Sequence, residues 1–383
     1  MIAVVIFWAA ILMLLHAYLG YPLLLGAWAR LRPHPAARGT HLPRVTIVVV
    51  AHNEAERIEA RVDNLRALDY PGESLDILIV SDGSTDGTAE RARVRARTME
   101  GVQVMTFATR RGKPAVLNEV VPQARGDIVL LADARQRFDP GAVRALVAWF
   151  ADSGVGAVSG DLILIEDKRG SSVGRGVGTY RRYESFVRRC ESRVASTVGA
   201  TGAIYAIRRA LFSRLPEDII LDDVLIPMRI ARRGYRVLFE PTARAFDRAP
   251  ATAREEFARK ARTLAGNYQL FFREPWLLSP RINPLWLQTV SHKGLRLLGP
   301  ILLAAAFTSN LILIGRPGYR LALLAQVTFY AGASVGWMLR ASRRGPRLFS
   351  LPYAFCLVNG AALVGAFRFL ASRQRVTWDK ASA

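Results

Sequence analysis

Residues 45–54, Val45-Thr46-Ile47-Val48-Val49-Val50-Ala51-His52-Asn53-Glu54, decide the fold. The run 45–50 is β-branched without a break and apolar but for Thr46. That is the pattern of a strand buried on both faces, as in a parallel sheet. His52-Asn53-Glu54 ends it. Ile58, Val62, Leu65 and Leu68 then recur at helical spacing, with Asn53 and Glu56 placed as a capping box. Tyr70-Pro71-Gly72 reads as a turn. Residues 76–80 read as a second strand, closed by Ser81-Asp82-Gly83. A helix follows over Ala89–Arg97 and a third strand over 102–107. Arg111-Gly112-Lys113 opens a short helix to Val121, and a fourth strand over 127–132 ends at Asp133.

Strands alternating with helices in this way predict an α/β domain with a mostly parallel sheet. Such sheets bind ligands outside the carboxyl ends of their strands. Asn53-Glu54, Asp82 and Asp133 each follow a strand directly. Singly they read as a helix cap, a turn former and a loop carboxylate. Together they aim polar groups at one edge.

Four stretches carry no Asp, Glu, Lys or Arg: 2–29, 297–314, 321–339 and 348–367. Apolar runs near 20 residues match the bilayer core and exclude a wholly water-soluble chain. The N-terminal run has no basic leader, is too long for a cleaved signal peptide and lacks a small-residue cleavage site. Arg30, Arg32, Arg38 and Arg44 follow it, so the positive-inside rule predicts a cytoplasmic central region. Arg340, Arg343, Arg344 and Arg347 then fall inside on alternate crossings. Arg373, Arg375 and Lys380 would fall outside unless one segment does not fully span. The expected organisation is an N-terminal transmembrane helix (1–30), an α/β domain (43–272), an interfacial segment (273–295) and about three C-terminal transmembrane helices (296–371). The expected location is the inner (plasma) membrane.

The net charge is +22, from 53 basic and 31 acidic residues, which suits a face beside anionic lipid. The arginines are dispersed and no finger, homeodomain or RNP-like pattern occurs, so nucleic acid is not the expected partner. Cys190 lies in the polar region and Cys356 in an apolar run, which gives no disulfide framework. The five histidines lack ligand spacing, and no zinc site is expected.

An ordered set of motifs now stands out: PRVTIVVVAHNE (43–54), VSDGSTDGT (80–88), RRGKPAVLN (110–118), LLADARQRFDP (130–140), GATGAIYAIRRALF (199–212) and LDDVLIPMRIARRGYRVLFEP (221–241). This set resembles the membrane-anchored family 2 glycosyltransferases, which include cellulose and hyaluronan synthases and many exopolysaccharide enzymes. The resemblance implies a Rossmann-like glycosyltransferase-A-type fold. It also implies inverting transfer from a nucleotide-diphosphate sugar, most simply uridine-linked, to a polysaccharide end or a lipid-linked saccharide. Transfer needs a base for the acceptor hydroxyl and a cation against the departing diphosphate.

By the resemblance, Asp223 is the base, and Asp222 stands where Glu is usual. Arg229 orients that region. Asp82 contacts the nucleotide base, with Asn53 and Glu54 holding that end. Lys113 stands near the ribose or diphosphate. Asp133 meets a diphosphate-bound Mg²⁺ or Mn²⁺. Arg135 replaces the second carboxylate of the family's DxD, so one Asp serves the metal or Arg135 faces the diphosphate itself. Gly202 lies on the acceptor side. In EEFARKARTLAGNYQLFF (255–272), Arg262 matches the Arg of the processive Gln-x-x-Arg-Trp motif, but Arg259 and Thr263 replace its Gln and Trp. The expectation is a non-processive enzyme; an amphipathic surface helix is the plainer reading of that stretch. Two rival functions remain at this stage. One is a membrane scaffold with an inactive transferase-like domain. The other is a sugar-nucleotide pyrophosphorylase, which would want a Gly-rich, Arg-Lys loop where His52-Asn53-Glu54 stands.

Overall fold

The computed structural model describes residues 1–165, 172–250, 252–339, 347–374 and 377. Eight strands form one sheet: β1 (Val45–Ala51), β2 (Leu75–Asp82), β3 (Val102–Phe107), β4 (Ile128–Asp133), β5 (Arg137–Phe138), β6 (Val155–Ile165), β7 (Ile204–Arg208) and β8 (Arg236–Arg248). Their order is β3-β2-β1-β4-β7-β6-β8-β5. The first four strands are parallel, with Val45 opposite both Leu75 and Ile128. Strand β7 breaks the run by pairing antiparallel with β4 and β6. The sheet is therefore mixed. Its parallel half is the half the apolar runs predicted.

β1 is buried along both faces, and its alternate residues enter two cores. Val45, Ile47 and Val49 pack with Ile58, Val62 and Leu65 of the helix Ile58–Arg66 on one side. Val48 packs with Val116, Leu117 and Val120 on the other. The helices of the parallel half are α3 (Ile58–Arg66), α4 (Thr88–Ala96) and α5 (Lys113–Gln123). Helix α6 (Ala142–Val147) follows, then α7 (Ser172–Val194), α8 (Asp222–Arg232) and α9 (Ala253–Arg273).

The expected capping box is not formed. Helix α3 begins at Ile58, and Asn53 adopts φ +54°. Its Oδ1 accepts from the Thr85 amide at 2.9 Å instead. Asn tolerates this left-handed backbone better than most residues, and the loop after β2 offers the closer donor.

The first apolar run is one long helix over Ile2–Leu31, made of α1 (Ile2–Leu15), a π-turn (His16–Gly20) and α2 (Tyr21–Leu31). Pro317–Met338 and Leu348–Leu370 are two more helices long and apolar enough to cross a membrane. The second apolar run differs from them. It belongs to a pair, Trp286–Leu297 and Gly299–Ile312, bent by 60°. Among the described residues there are thus three such helices, or four if the bent pair is one span. Arg340, Arg343, Arg344, Arg375 and Lys380 lie outside the described residues.

The second half of the N-terminal helix is docked on the domain. Tyr21, Leu25 and Ala29 of α2 pack with Val187, Cys190 and Val194 of α7. Beside them, His292 places Nδ1 2.8 Å from Glu191 Oε1 and Nε2 2.9 Å from Glu184 Oε2. Carboxylates accept and do not donate, so a ring that donates from both nitrogens is an imidazolium. The Tyr21 hydroxyl donates to the same Glu191 oxygen at 2.8 Å, and Arg296 pairs with Glu184. His16 in the π-turn meets Ser291 Oγ at 3.0 Å. A buried ionic knot thus ties the N-terminal helix, the domain and the 286–297 segment together.

Candidate active site

Two clusters of side chains lie at the carboxyl edge of the parallel strands. The first joins the loops after β1 and β2. The Asn53 amide donates to Ser84 Oγ at 3.1 Å, and the Glu54 amide to Thr88 Oγ1 at 2.8 Å. Glu54 is buried and pairs with Arg57 at 3.0 Å. Asp82 is almost wholly buried, and its two oxygens accept from the Arg111 and Gly112 amides at 2.7 and 2.8 Å. A charged acceptor on two backbone donors makes strong bonds and fixes the loop. Gly83 is required there. Its φ is +60°, and a Cβ would come within 2.3 Å of the Arg110 nitrogen.

Lys113, the next residue after that clamped pair, opens α5 and leads into the second cluster. Its Nζ lies 2.9 Å from Asp133 Oδ1 and 3.5 Å from Asp222 Oδ2. Burial works against its charge. The carboxylates of Asp133, Asp222 and Asp223 outweigh burial and hold the ammonium above its ordinary pKa. Asp222 also faces the Tyr205 hydroxyl at 3.5 Å. Asp223 Oδ2 accepts from the Gly202 amide at 2.9 Å, and a Cβ on residue 202 would stand 3.2 Å from that oxygen. Asp223 titrates near 6, above the usual carboxylate range. Burial pushes it up, Asp222 adds to the rise, and Lys113 and Lys293 oppose it.

Arg262 approaches the same carboxylates from α9. Burial lowers its pKa, while Asp222, Asp223 and Asp133 pull the other way and Arg135 repels it. Thr263 turns its hydroxyl back to the Arg259 carbonyl at 3.1 Å. The plain amphipathic reading of α9 is partly met: Ala261 and Ala265 are fully buried, and the helix packs against Gly365 of the last apolar helix. Arg229 stands apart from the acids. It pairs with Glu274 and donates to the Arg214 carbonyl at 2.8 Å, which ties α8 to the end of α9.

The second cluster thus joins Lys113, Asp133, Asp222, Asp223, Gly202 and Arg262, with Arg135 exposed at its rim. Sequence reading missed Tyr205 and Lys293. Tyr205 sits inside the quoted 199–212 stretch, and its only signal is a hydroxyl in an otherwise apolar strand. Lys293 is a basic residue at the threshold of an apolar run, which is an unusual position for a cation.

For a cation, among the described residues no group of three or more His, Cys, Asp or Glu is placed to hold a metal. Asp133 is the one strand-end carboxylate facing this cluster from β4. Lys113 engages its Oδ1, so Oδ2 is the atom a metal would use. That fits a divalent ion held by one carboxylate and completed by phosphate oxygens and water.

If Asp223 is the base that the resemblance implies, it must be ionised to take a proton, so transfer is expected to rise with pH through about 6 and to fall below it. Lys113→Ala removes a cation that lowers this pKa, so the inflection should move up by roughly one unit. Profiles of kcat/KM against pH for both proteins check this. A downward or absent shift would contradict it.

Residues 46–215 match the family model "Glycosyl transferase family 2". Asp222-Asp223 follows just beyond the matched region. The chain is 27% identical over 253 residues to poly-beta-1,6-N-acetyl-D-glucosamine synthase of Staphylococcus aureus, covering 64% of this chain and 59% of that protein. It is 24% identical over 241 residues to the probable glycosyltransferase YdaM of Bacillus subtilis, covering 59% and 56%. The chain thus spans less than two thirds of the length of these curated relatives. Among solved structures it is similar to the mannosyltransferase PcManGT of Pyrobaculum calidifontis, in complex with GDP-Man and Mn²⁺. The TM-score is 0.76 at 25% identity, over 96% of this chain and 99% of that one. The motifs, the mixed sheet and these likenesses agree: residues 46–215 carry a domain that matches the family 2 glycosyltransferases, on a glycosyltransferase-A-like fold.

Proposed function

We propose that the protein transfers a sugar with inversion from a nucleotide-diphosphate sugar to a saccharide or lipid-linked acceptor at the cytoplasmic face of the inner membrane. One observation carries this reading. Lys113 bridges Asp133 at the end of β4 to Asp222 at the start of α8, which places Asp223 beside Gly202. A diphosphate at Asp133 and a hydroxyl at Asp223 would then flank one anomeric carbon, the arrangement in-line displacement needs.

In this reading Asn53, Glu54 and Asp82 shape the nucleotide end, and Asp82 does so by fixing the loop that presents Lys113. Lys113, Arg135 and Arg262 face the charge of the departing diphosphate. Gly202 leaves room for the acceptor and orients Asp223 through its amide. Arg229 acts at a distance by holding α8 against α9. Asp133 would hold a Mg²⁺ or Mn²⁺ together with the diphosphate, and the ion would supply charge neutralisation there. The solved relative's GDP-Man sets a guanosine donor beside the uridine donor that the sequence favoured. Nucleoside diphosphate release from UDP-glucose, UDP-N-acetylglucosamine and GDP-mannose tests the reading. No release from any of a broad panel would leave the scaffold rival standing.

Excess chelator is expected to abolish transfer, and Mg²⁺ or Mn²⁺ to restore it. Full activity in chelator would assign the diphosphate to Arg135 and Lys113 alone.

Product length reports on processivity. An aromatic ring can stack on a sugar face while a polymer slides. Thr263 offers no ring and is bonded to its own helix. With scarce enzyme and excess acceptor, singly extended products are expected. Long polymer beside untouched acceptor would show that another side chain does the stacking.

A further inference from the structure

Two adjoining cavities, of about 390 and 460 Å³, open between α7 and the outer strands β6 and β8. They share Asp161, Ile163 and Arg189. Arg244 and Phe246 line the first, and Arg181 and Arg182 the second. Among the described lining residues, four guanidinium groups stand around one carboxylate, and Arg181 also donates to the Leu162 carbonyl. Burial raises the pKa of Asp161, against the pull of Arg181, Arg188 and Arg189. Among the described lining residues, that one carboxylate is outnumbered. Like charges gathered around a cavity repel one another, and a bound anion relieves that repulsion. Guanidinium groups in particular match the oxygens of a phosphate.

The position of the cleft names the source of the anion. Strand β6 runs out from the catalytic cluster: Ser159 Oγ accepts from the Thr201 amide, next to Gly202, and Asp161 lies two residues further on, roughly 7 Å. On its other side the cleft meets the membrane helix. Phe186 lines it, is 45% exposed, and lies against Gly26 of α2. The Tyr183 hydroxyl donates to the Tyr18 carbonyl at 3.1 Å. A basic cavity between a transfer site and a membrane helix, with an exposed aromatic ring at its edge, suits a ligand with a phosphate head and an apolar tail.

We propose that this cleft binds the phosphate group of the membrane lipid that carries the acceptor, which rests on the transferase reading above. The lipid's tail leaves along α2, and its polar end reaches toward Gly202 and Asp223.

The test uses the purified full chain in neutral detergent and the double variant Arg189→Gln/Arg244→Gln. Both side chains are exposed, so the fold should survive, and nucleotide-sugar binding reports on it. Hexadecyl phosphate is expected to bind, and the double variant to weaken it about tenfold. Hexadecanol and inorganic phosphate are expected to bind far more weakly than hexadecyl phosphate. With a membrane-extracted lipid acceptor, the double variant should raise KM about tenfold at unchanged kcat. Equal binding of hexadecanol would overturn phosphate recognition. Equal binding of inorganic phosphate would overturn the lipid source. A fall in kcat at unchanged KM would overturn the acceptor role. If hexadecyl phosphate binds but no nucleotide sugar does, the transferase reading fails and the cleft stands.

Discussion

Asp223→Asn is expected to cost transfer about 100-fold or more while leaving nucleotide-sugar binding largely intact. Asn keeps the size of Asp and can still accept the Gly202 amide through its oxygen, so the loop after residue 199 should hold its shape. It cannot take the proton of an acceptor hydroxyl. With burial pushing its pKa up to about 6, the Asp223 carboxyl is ionised at neutral pH and has a higher proton affinity than an exposed carboxylate. Brønsted behaviour makes that a better base. Steady-state transfer and equilibrium donor binding, measured on the same preparation, separate the two effects. Turnover near wild type would remove Asp223 from the chemistry. Loss of donor binding would make it a structural residue.

His292→Ala should have the largest effect on stability. The imidazolium lies between two carboxylates, and Glu191 is wholly buried. Removing one partner of a buried ion pair leaves the other charge uncompensated, which costs about 3–5 kcal/mol. The melting temperature in detergent should fall, and Glu191→Gln combined with His292→Ala should recover part of the loss. An unchanged melting temperature in the single variant would show the pairs to be energetically idle.

Strands β1, β2 and β4 were legible because burial on both faces leaves a nearly continuous apolar run. The 45–50 run became β1, and the strands expected over 76–80, 102–107 and 127–132 became β2 to β4 within a residue or two. The mixed half, β5 to β8, was not read as strands. β6 and β8 carry Gly160, Asp161, Pro241 and Arg244, which interrupt any clean pattern. Long-range pairing, not local preference, makes them strands.

Asp133 was legible locally as a carboxylate ending a strand, and Asp222-Asp223 only through the resemblance carried by the 221–241 motif. What the sequence could not display was the partner of each. Lys113 lies 20 residues from Asp133 and over 100 from Asp222, and only the closed sheet brings its ammonium between them. Arg229 shows the converse. Its sequence position next to the acids is close, yet helix geometry turns it to Glu274.

The ionic knot at His292 bears on how the protein can be handled. By sequence, residues 43–272 look like a separable unit with their own sheet and two cores. Cutting there would strand Glu191 without Tyr21 and His292, and Glu184 without His292 and Arg296. It would also bare the apolar strip of Val187, Cys190 and Val194 that α2 covers. A soluble fragment of that length would carry buried acids with no counter-charge and a sticky flank, so it should aggregate or adopt a disturbed α7. The smallest piece worth purifying runs from the N-terminal helix through Arg296, and inhibitor screening belongs with the detergent-solubilised chain.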